Sequence, residues 1–396
     1  MGAKTGIEWT DSTWNPFIGC SRVSEGCRHC YAERLAGRFS AKTDGVYAGT
    51  TKAVNGLQVW TGKINRAPEE TLLKPLHWRP LVEGCRGLEK SGVLHDPRLV
   101  CRDCVKRPRR IFVNSMSDLF HENVPDTWID QIFAVMALCP QHVFQVLTKR
   151  PERMLAYFAH DGGFGRWGYI EGCARKIAAE LKAPKPPAGT TLAIWGGRNL
   201  PNVWLGVSVE NQAAADERIP LLLRTPAAVR FISAEPLLGP VDLEELPSAS
   251  GIGRYLDSLS NAGVDKGALI PNKLDWVIAG GESGPGARPM NPDWARSLRD
   301  QCVDAAVPFF FKQWGEYSPK NRREDLPAHP TMVCEAKGDV LLTIEGKIET
   351  FDSCGGVGDH AVMERIGKKA AGALLDGREW KQFPACRAET QCRREV

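Results

Sequence analysis

The chain has 396 residues, 43% of them hydrophobic and 25% charged, and a formal charge of +4. Those proportions are of a soluble globular protein, and so mild a charge permits a nucleic-acid partner through local basic patches without demanding one. No apolar run approaches membrane-spanning length, and MGAKTGIEWTDST at the start lacks the apolar stretch of a signal peptide.

Thirteen cysteines, an odd number scattered through a large chain, predict a reducing cytoplasm with thiols or metal ligands rather than a disulfide framework. A weak first strand is expected at 14–19, feeding a cysteine-bearing loop. Residues 40–110 hold few strand signals and read as an insertion with a second cysteine group at 85–104. The run IFVNSM (111–116) leads through SDLFHENVP into the amphipathic TWIDQIFAVMALC, and VFQVL (143–147) leads through TKRP into ERMLAYFAH. A second insertion, 160–200, surrounds a helical IEGCARKIAAELK. VWLGVSV (203–209) then leads into QAAADERIPLLLR, and RFISA (230–234) into EPLLGPVDLEEL. After a surface excursion at 246–272, WVIAG (276–280) leads into GESGPGARPMNP and DWARSLRDQCVDAA. PFFFK (308–312) leads into QWGEY.

Near-continuous apolar runs of this length, alternating with helical segments, predict buried parallel strands. Seven βα-like units without a G-x-G-x-x-G after the first strand favour an α/β fold of TIM-barrel type, complete or partial, over a dinucleotide-binding sheet. The expected domains are a barrel over 1–317 with its two insertions and an extension over 318–396 packed on it. In that extension VLLTIEGKIETF reads as a hairpin. GKKAAGALLDGREWKQFP reads as a helix ending at Gly377, with Ile366, Ala370, Ala373 and Leu374 on its packed side.

Cys20, Cys27 and Cys30 fall as C-x6-C-x2-C on the loop after the first strand, at the barrel face where active sites collect. A closed structural zinc site wants four ligands. A cubane cluster held by three thiolates leaves one iron open to a substrate or cofactor. Zinc with His29 or a distant cysteine as fourth ligand, and plain thiols, are the other readings.

These residues resemble the radical S-adenosylmethionine enzymes. With IEWTDSTWNPFIGC, CYAERLA, NSMSDLF, LTKRPERM, NVWLGVSVEN, RFISAEPLLG, DWVIAGGESG, FFFKQWGE and the terminal GKKAAGALLDGREWKQFP, nearly the whole chain resembles an uncharacterised, largely phage-encoded family of three-Cys-motif proteins. The resemblance implies a [4Fe–4S] cluster on Cys20, Cys27 and Cys30. Its open iron would chelate S-adenosylmethionine, and an electron donor would drive reductive cleavage to a 5′-deoxyadenosyl radical. The usual first spacing is three residues rather than six, and His29 stands where an aromatic is usual, with Tyr31 after the third cysteine.

Polar residues follow every expected strand: Met116, Ser117 and Asp118; Thr148, Lys149 and Arg150; Glu235; Lys312, Gln313 and Trp314. Ser208, Glu210 and Asn211 follow a middle strand, where the superfamily commonly contacts the cofactor's carboxylate or ribose. Gly280, Gly281 and Glu282 resemble the G-G-E stretch that binds the methionine amino group, although that stretch follows the second strand in the superfamily and a late one here. Each such residue is equally an ordinary helix cap or glycine turn. Cys85, Cys101 and Cys104, with His95 nearby, suggest a zinc knuckle, and Lys106, Arg107, Arg109 and Arg110 a phosphate grip. Two functions follow: a cluster enzyme acting on a nucleic acid or nucleotide, or a non-catalytic zinc-containing nucleic-acid-binding or adaptor protein of phage origin. No HxH or HExxH pattern supports a metallohydrolase.

Overall fold

The computed structural model describes residues 5–40, 45–85, 104–159, 165–181, 199–247, 255–260, 264–265, 268–269, 273–319, 339–349 and 361–385. Its centre is one sheet of seven strands: β1 (Ser12–Trp14), β2 (Arg109–Val113), β3 (His142–Thr148), β4 (Val203–Ser208), β5 (Val229–Ala234), β6 (Trp276–Ala279) and β7 (Phe309–Phe311). They stand side by side in chain order, and every neighbouring pair is parallel. A doubly wound sheet reverses its order at a switch point. Without a reversal, right-handed crossovers all run one way and curl the sheet into a half-barrel. β1 and β7 do not pair with each other, so the ring of a complete TIM barrel does not form among the described residues.

Alternation along the strands divides the core in two. Ile111, Val113, Phe144, Val146, Val207, Ile232, Val277 and Phe309 belong to the large cluster under the helices. These include α2 (Asp126–Ala137), α3 (Pro151–Ala159), α5 (Gln212–Arg224) and α6 (Pro292–Asp304), while α1 (Tyr31–Gly37) and α4 (Gly165–Glu180) belong to the cysteine segment and the second insertion. Phe112, Val143, Trp204, Phe231, Trp276 and Phe310 point the other way and form a second cluster with Trp9. Gly206 makes room for it, since a Cβ there would lie 2.6 Å from the Phe231 ring.

Six expected strands lie within a few residues of their sequence positions. The first does not: it occupies 12–14, and Phe17–Ile18 pairs antiparallel with Asn65–Arg66 instead. Asn15 ends the strand by turning its side chain to the Met116 N–H and the Ser115 hydroxyl. The segment 40–110 also holds more strand than expected, including the hairpin Thr51–Val54 with Leu57–Trp60.

Beyond Tyr317, Asp339–Leu342 and Ile348–Glu349 form the expected hairpin. The long terminal helix is not there. Lys368–Ala371 makes one turn, which stops at Gly372, with φ of +68°. Leu374–Leu375 then pairs with Arg378–Glu379. Ile366 and Leu374 are exposed, and Leu375 is buried in their stead. The segment does pack on the sheet: Phe311 N–H donates to the Trp380 carbonyl, and Gln382 N–H to that of Phe309. It covers the β7 edge, which would otherwise present unpaired backbone groups.

Candidate functional site

The inner face of the sheet changes character along its length. The aromatic layer gives way, toward the C-terminal strand ends, to Asn114, Ser208, Ser233, Glu235 and Lys312. These residues line a cavity of about 270 Å³. Cys20, Cys27 and Cys30 line the same cavity, and all three thiols are free. Burial pushes the Cys20 thiol up, and Asp118 and the other two cysteines add to that against the pull of Arg150. Burial likewise raises Cys30. Both are therefore thiols until a cation displaces the proton.

The cysteine loop is held from three sides. Arg150, only 8% exposed, donates to the Ser21 carbonyl and hydroxyl, to Glu122 and to Asp118, and its Nη1 lies 4.0 Å from Cys20 Sγ. Asp118 in turn accepts from the Thr148 hydroxyl and the Lys149 N–H, so SMSD after β2 and TKR after β3 form one network. His121 accepts the Asn123 N–H at Nδ1, leaving Nε2–H to donate to Ser21 Oγ at 3.0 Å. With Arg150 also donating to it and Glu122 accepting from it, Ser21 is a structural node and no activated nucleophile.

On the second side, Glu210 pairs with Lys149 at 3.0 Å and Arg218 at 2.9 Å. Burial pushes its carboxyl up, but the two cations outweigh it and leave it at about 2. Gly26 of the cysteine loop rests on this pair: a Cβ there would lie 3.1 Å from the Glu210 carboxylate. On the third side, Glu282 accepts from His29 Nδ1 at 3.0 Å and from the Arg288 backbone and guanidinium. Arg288 reaches on to Glu25.

The expected cofactor residues are thus dispersed in role. Ser208, Gly281 and Glu282 line the cavity. Asn211 caps α5 by accepting from the Ala214 N–H, as the helix-cap reading has it. Gly280 and Gly281 admit the 312–315 segment, a Cβ on Gly281 falling 1.9 Å from the Trp314 carbonyl oxygen. Asn114 and Trp9 were not legible as site residues. Asn114 follows an apolar strand directly and carries a positive φ of 61°, which sequence does not disclose.

Cys85 and Cys104 stand at facing positions of the hairpin Leu81–Cys85 with Cys104–Arg107, while Cys101 and His95 lie outside the described residues. The three arginines of the basic run are spoken for: Arg107 pairs with Asp11, Arg109 bonds the Ser12 hydroxyl, and Arg110 stacks 3.7 Å over Phe383. Among the described residues, no group of three or more His, Cys, Asp and Glu side chains is arranged to hold one metal ion. No helix among them is long and apolar enough to cross a membrane.

No curated protein matches the chain, and no solved structure does. A family profile matches residues 4–384, close to the full length, so the chain belongs to the family described as "Protein of unknown function (DUF5131)".

Proposed function

We propose that the protein is a radical S-adenosylmethionine-type enzyme whose Cys20, Cys27 and Cys30 hold a [4Fe–4S] cluster, acting on a nucleic acid or nucleotide. One observation carries the reading: three free thiols from one loop line a single cavity at the C-terminal ends of a singly wound parallel sheet. The chemistry of the donors suits the group, although the three side chains do not converge on one metal position. Soft thiolates suit iron–sulfur clusters, and three of them leave a coordination position for a cofactor.

When bound and reduced, such a cluster supplies one electron to the sulfonium of S-adenosylmethionine. The chain's own residues do the rest. Arg150 fixes Cys20 and Ser21, bringing positive charge beside the first thiolate. Glu282 fixes His29, and thereby the turn between Cys27 and Cys30. Trp9, Phe112 and Leu147 give the cavity an apolar lining.

Anaerobic purification followed by iron and acid-labile sulfide analysis tests the reading. About four of each per chain is expected of a cubane, together with 5′-deoxyadenosine on reduction with S-adenosylmethionine. Stoichiometric zinc without sulfide would transfer the protein to the zinc-binding class.

A further inference from the structure

Asn114 is 2% exposed, lines the cavity, and has neither its Nδ2 nor its Oδ1 hydrogen-bonded. A buried amide with both ends unpaired is costly, and native proteins seldom leave one so. The backbone does not account for it. At a φ of +61° asparagine is tolerated, but glycine takes the same conformation without burying a donor and an acceptor. The carboxamide therefore awaits a partner offering an acceptor beside a donor. The same cavity has apolar lining: Trp9 and Phe112, whose ring centroids are 4.7 Å apart with planes tilted by 59°, and Leu147.

We infer that Asn114 recognises a nucleobase of adenine type within this cavity. Its Nδ2 would donate to a ring nitrogen while its Oδ1 accepts from the exocyclic amine, the two-point pairing by which asparagine reads adenine in nucleic acids. Aromatic side chains of the same lining provide a surface for the ring face. The inference deepens the proposed function and rests on the same cavity. The adenine belongs either to a sulfonium cofactor or to a nucleotide substrate, and the chemistry at Asn114 is common to both.

The full-length protein as purified is titrated calorimetrically with adenosine, inosine, S-adenosylhomocysteine and a short oligoadenylate. Adenosine is expected to bind at least tenfold more tightly than inosine, which presents a second acceptor where adenine donates. Asn114→Asp, which tolerates the same backbone but replaces the donor by an acceptor, is expected to weaken adenosine roughly ten- to a hundredfold. Binding of S-adenosylhomocysteine without the oligoadenylate assigns the ring to the cofactor, and binding of both assigns the site to substrate as well. No nucleoside binding, or equal affinity for adenosine and inosine, overturns the inference even if the variant does not fold. Iron and sulfide content of the same preparation separates it from the proposed function. Cluster without nucleoside binding overturns this inference alone, and nucleoside binding without iron overturns the cluster alone.

Discussion

His29 donates from Nδ1 to Glu282 Oε2 across 3.0 Å, joining the middle of the cysteine motif to the glycine-rich turn after β6. The turn that resembles a cofactor-binding stretch is thus a support for the loop that carries the thiols. Burial works against the Glu282 charge, but bonds from Arg288 and His29 outweigh it and hold the carboxyl below its ordinary value.

Glu282→Gln keeps the shape and removes the charge-assisted half of those bonds. The protein without metal is expected to lose about 1.5–3 kcal/mol of stability, measured as a lower urea midpoint at unchanged slope. A wild-type midpoint would show that the His29 and Arg288 contacts do not brace the loop.

Gly281→Ala places a Cβ against the Trp314 carbonyl oxygen. Backbone cannot move aside as a flexible side chain can, so a loss of at least ~2 kcal/mol is expected, toward the upper range for overpacked positions. Gly56→Ala, at an exposed hairpin turn where a Cβ meets nothing within 4 Å though φ is +76°, should cost less. Equal melting temperatures for the two variants would contradict this account of the glycine pair.

His142 is fully buried, with Nε2–H donating to the Trp78 carbonyl at 3.0 Å. Burial drives its pKa down to about 4, with Arg109 adding to the effect and the Trp78 bond opposing it. Below its unfolded pKa of about 6.5, the unfolded chain takes up a proton that the folded one refuses. Its contribution is whole above that pH and is lost as pH falls toward 4, amounting to roughly 2–3 kcal/mol. His142→Gln should flatten the pH dependence of the urea midpoint between pH 7 and 4.5. Parallel curves for the two proteins would be the contrary result.

Cys27→Ala leaves two thiols at the cavity and is expected to abolish bound iron after anaerobic reconstitution. Cys173→Ala, on α4 and outside the cavity lining, is expected to retain wild-type iron and sulfide. Full iron retention by Cys27→Ala would remove that residue from the ligand set.

Six of the seven strands were readable because they are buried on both faces over most of their length, so apolar residues run together without regard to side. The terminal segment misled because the spacing of apolar residues in AAGALL suits a helix as well as a hairpin. The turn residues there were the better guide: Asp376 and Gly377 both have positive φ, the Asp-Gly signature of a two-residue hairpin turn. At the site, the cysteine triplet declares itself by spacing. Its braces do not, because Asp118, Arg150, Glu210 and Glu282 come from separate strand ends, and which of them meets the cysteine loop is decided only when the sheet curls. Asn114 was hidden for a different reason. Nothing in IFVN says that the asparagine is buried and unpaired.

Trp9 and Phe383 both pack on Trp276, with ring centroids 6.4 and 5.2 Å away. The aromatic layer beneath the cavity is therefore sealed by segments at opposite extremes of the described chain. During synthesis, neither the layer nor the edge of β7 is complete until residue 383 has left the ribosome. Contacts of such long sequence separation form slowly, and until then an open strand edge and several bare rings await a cover. Translation stalled before residue 383 would leave the half-barrel with its floor open.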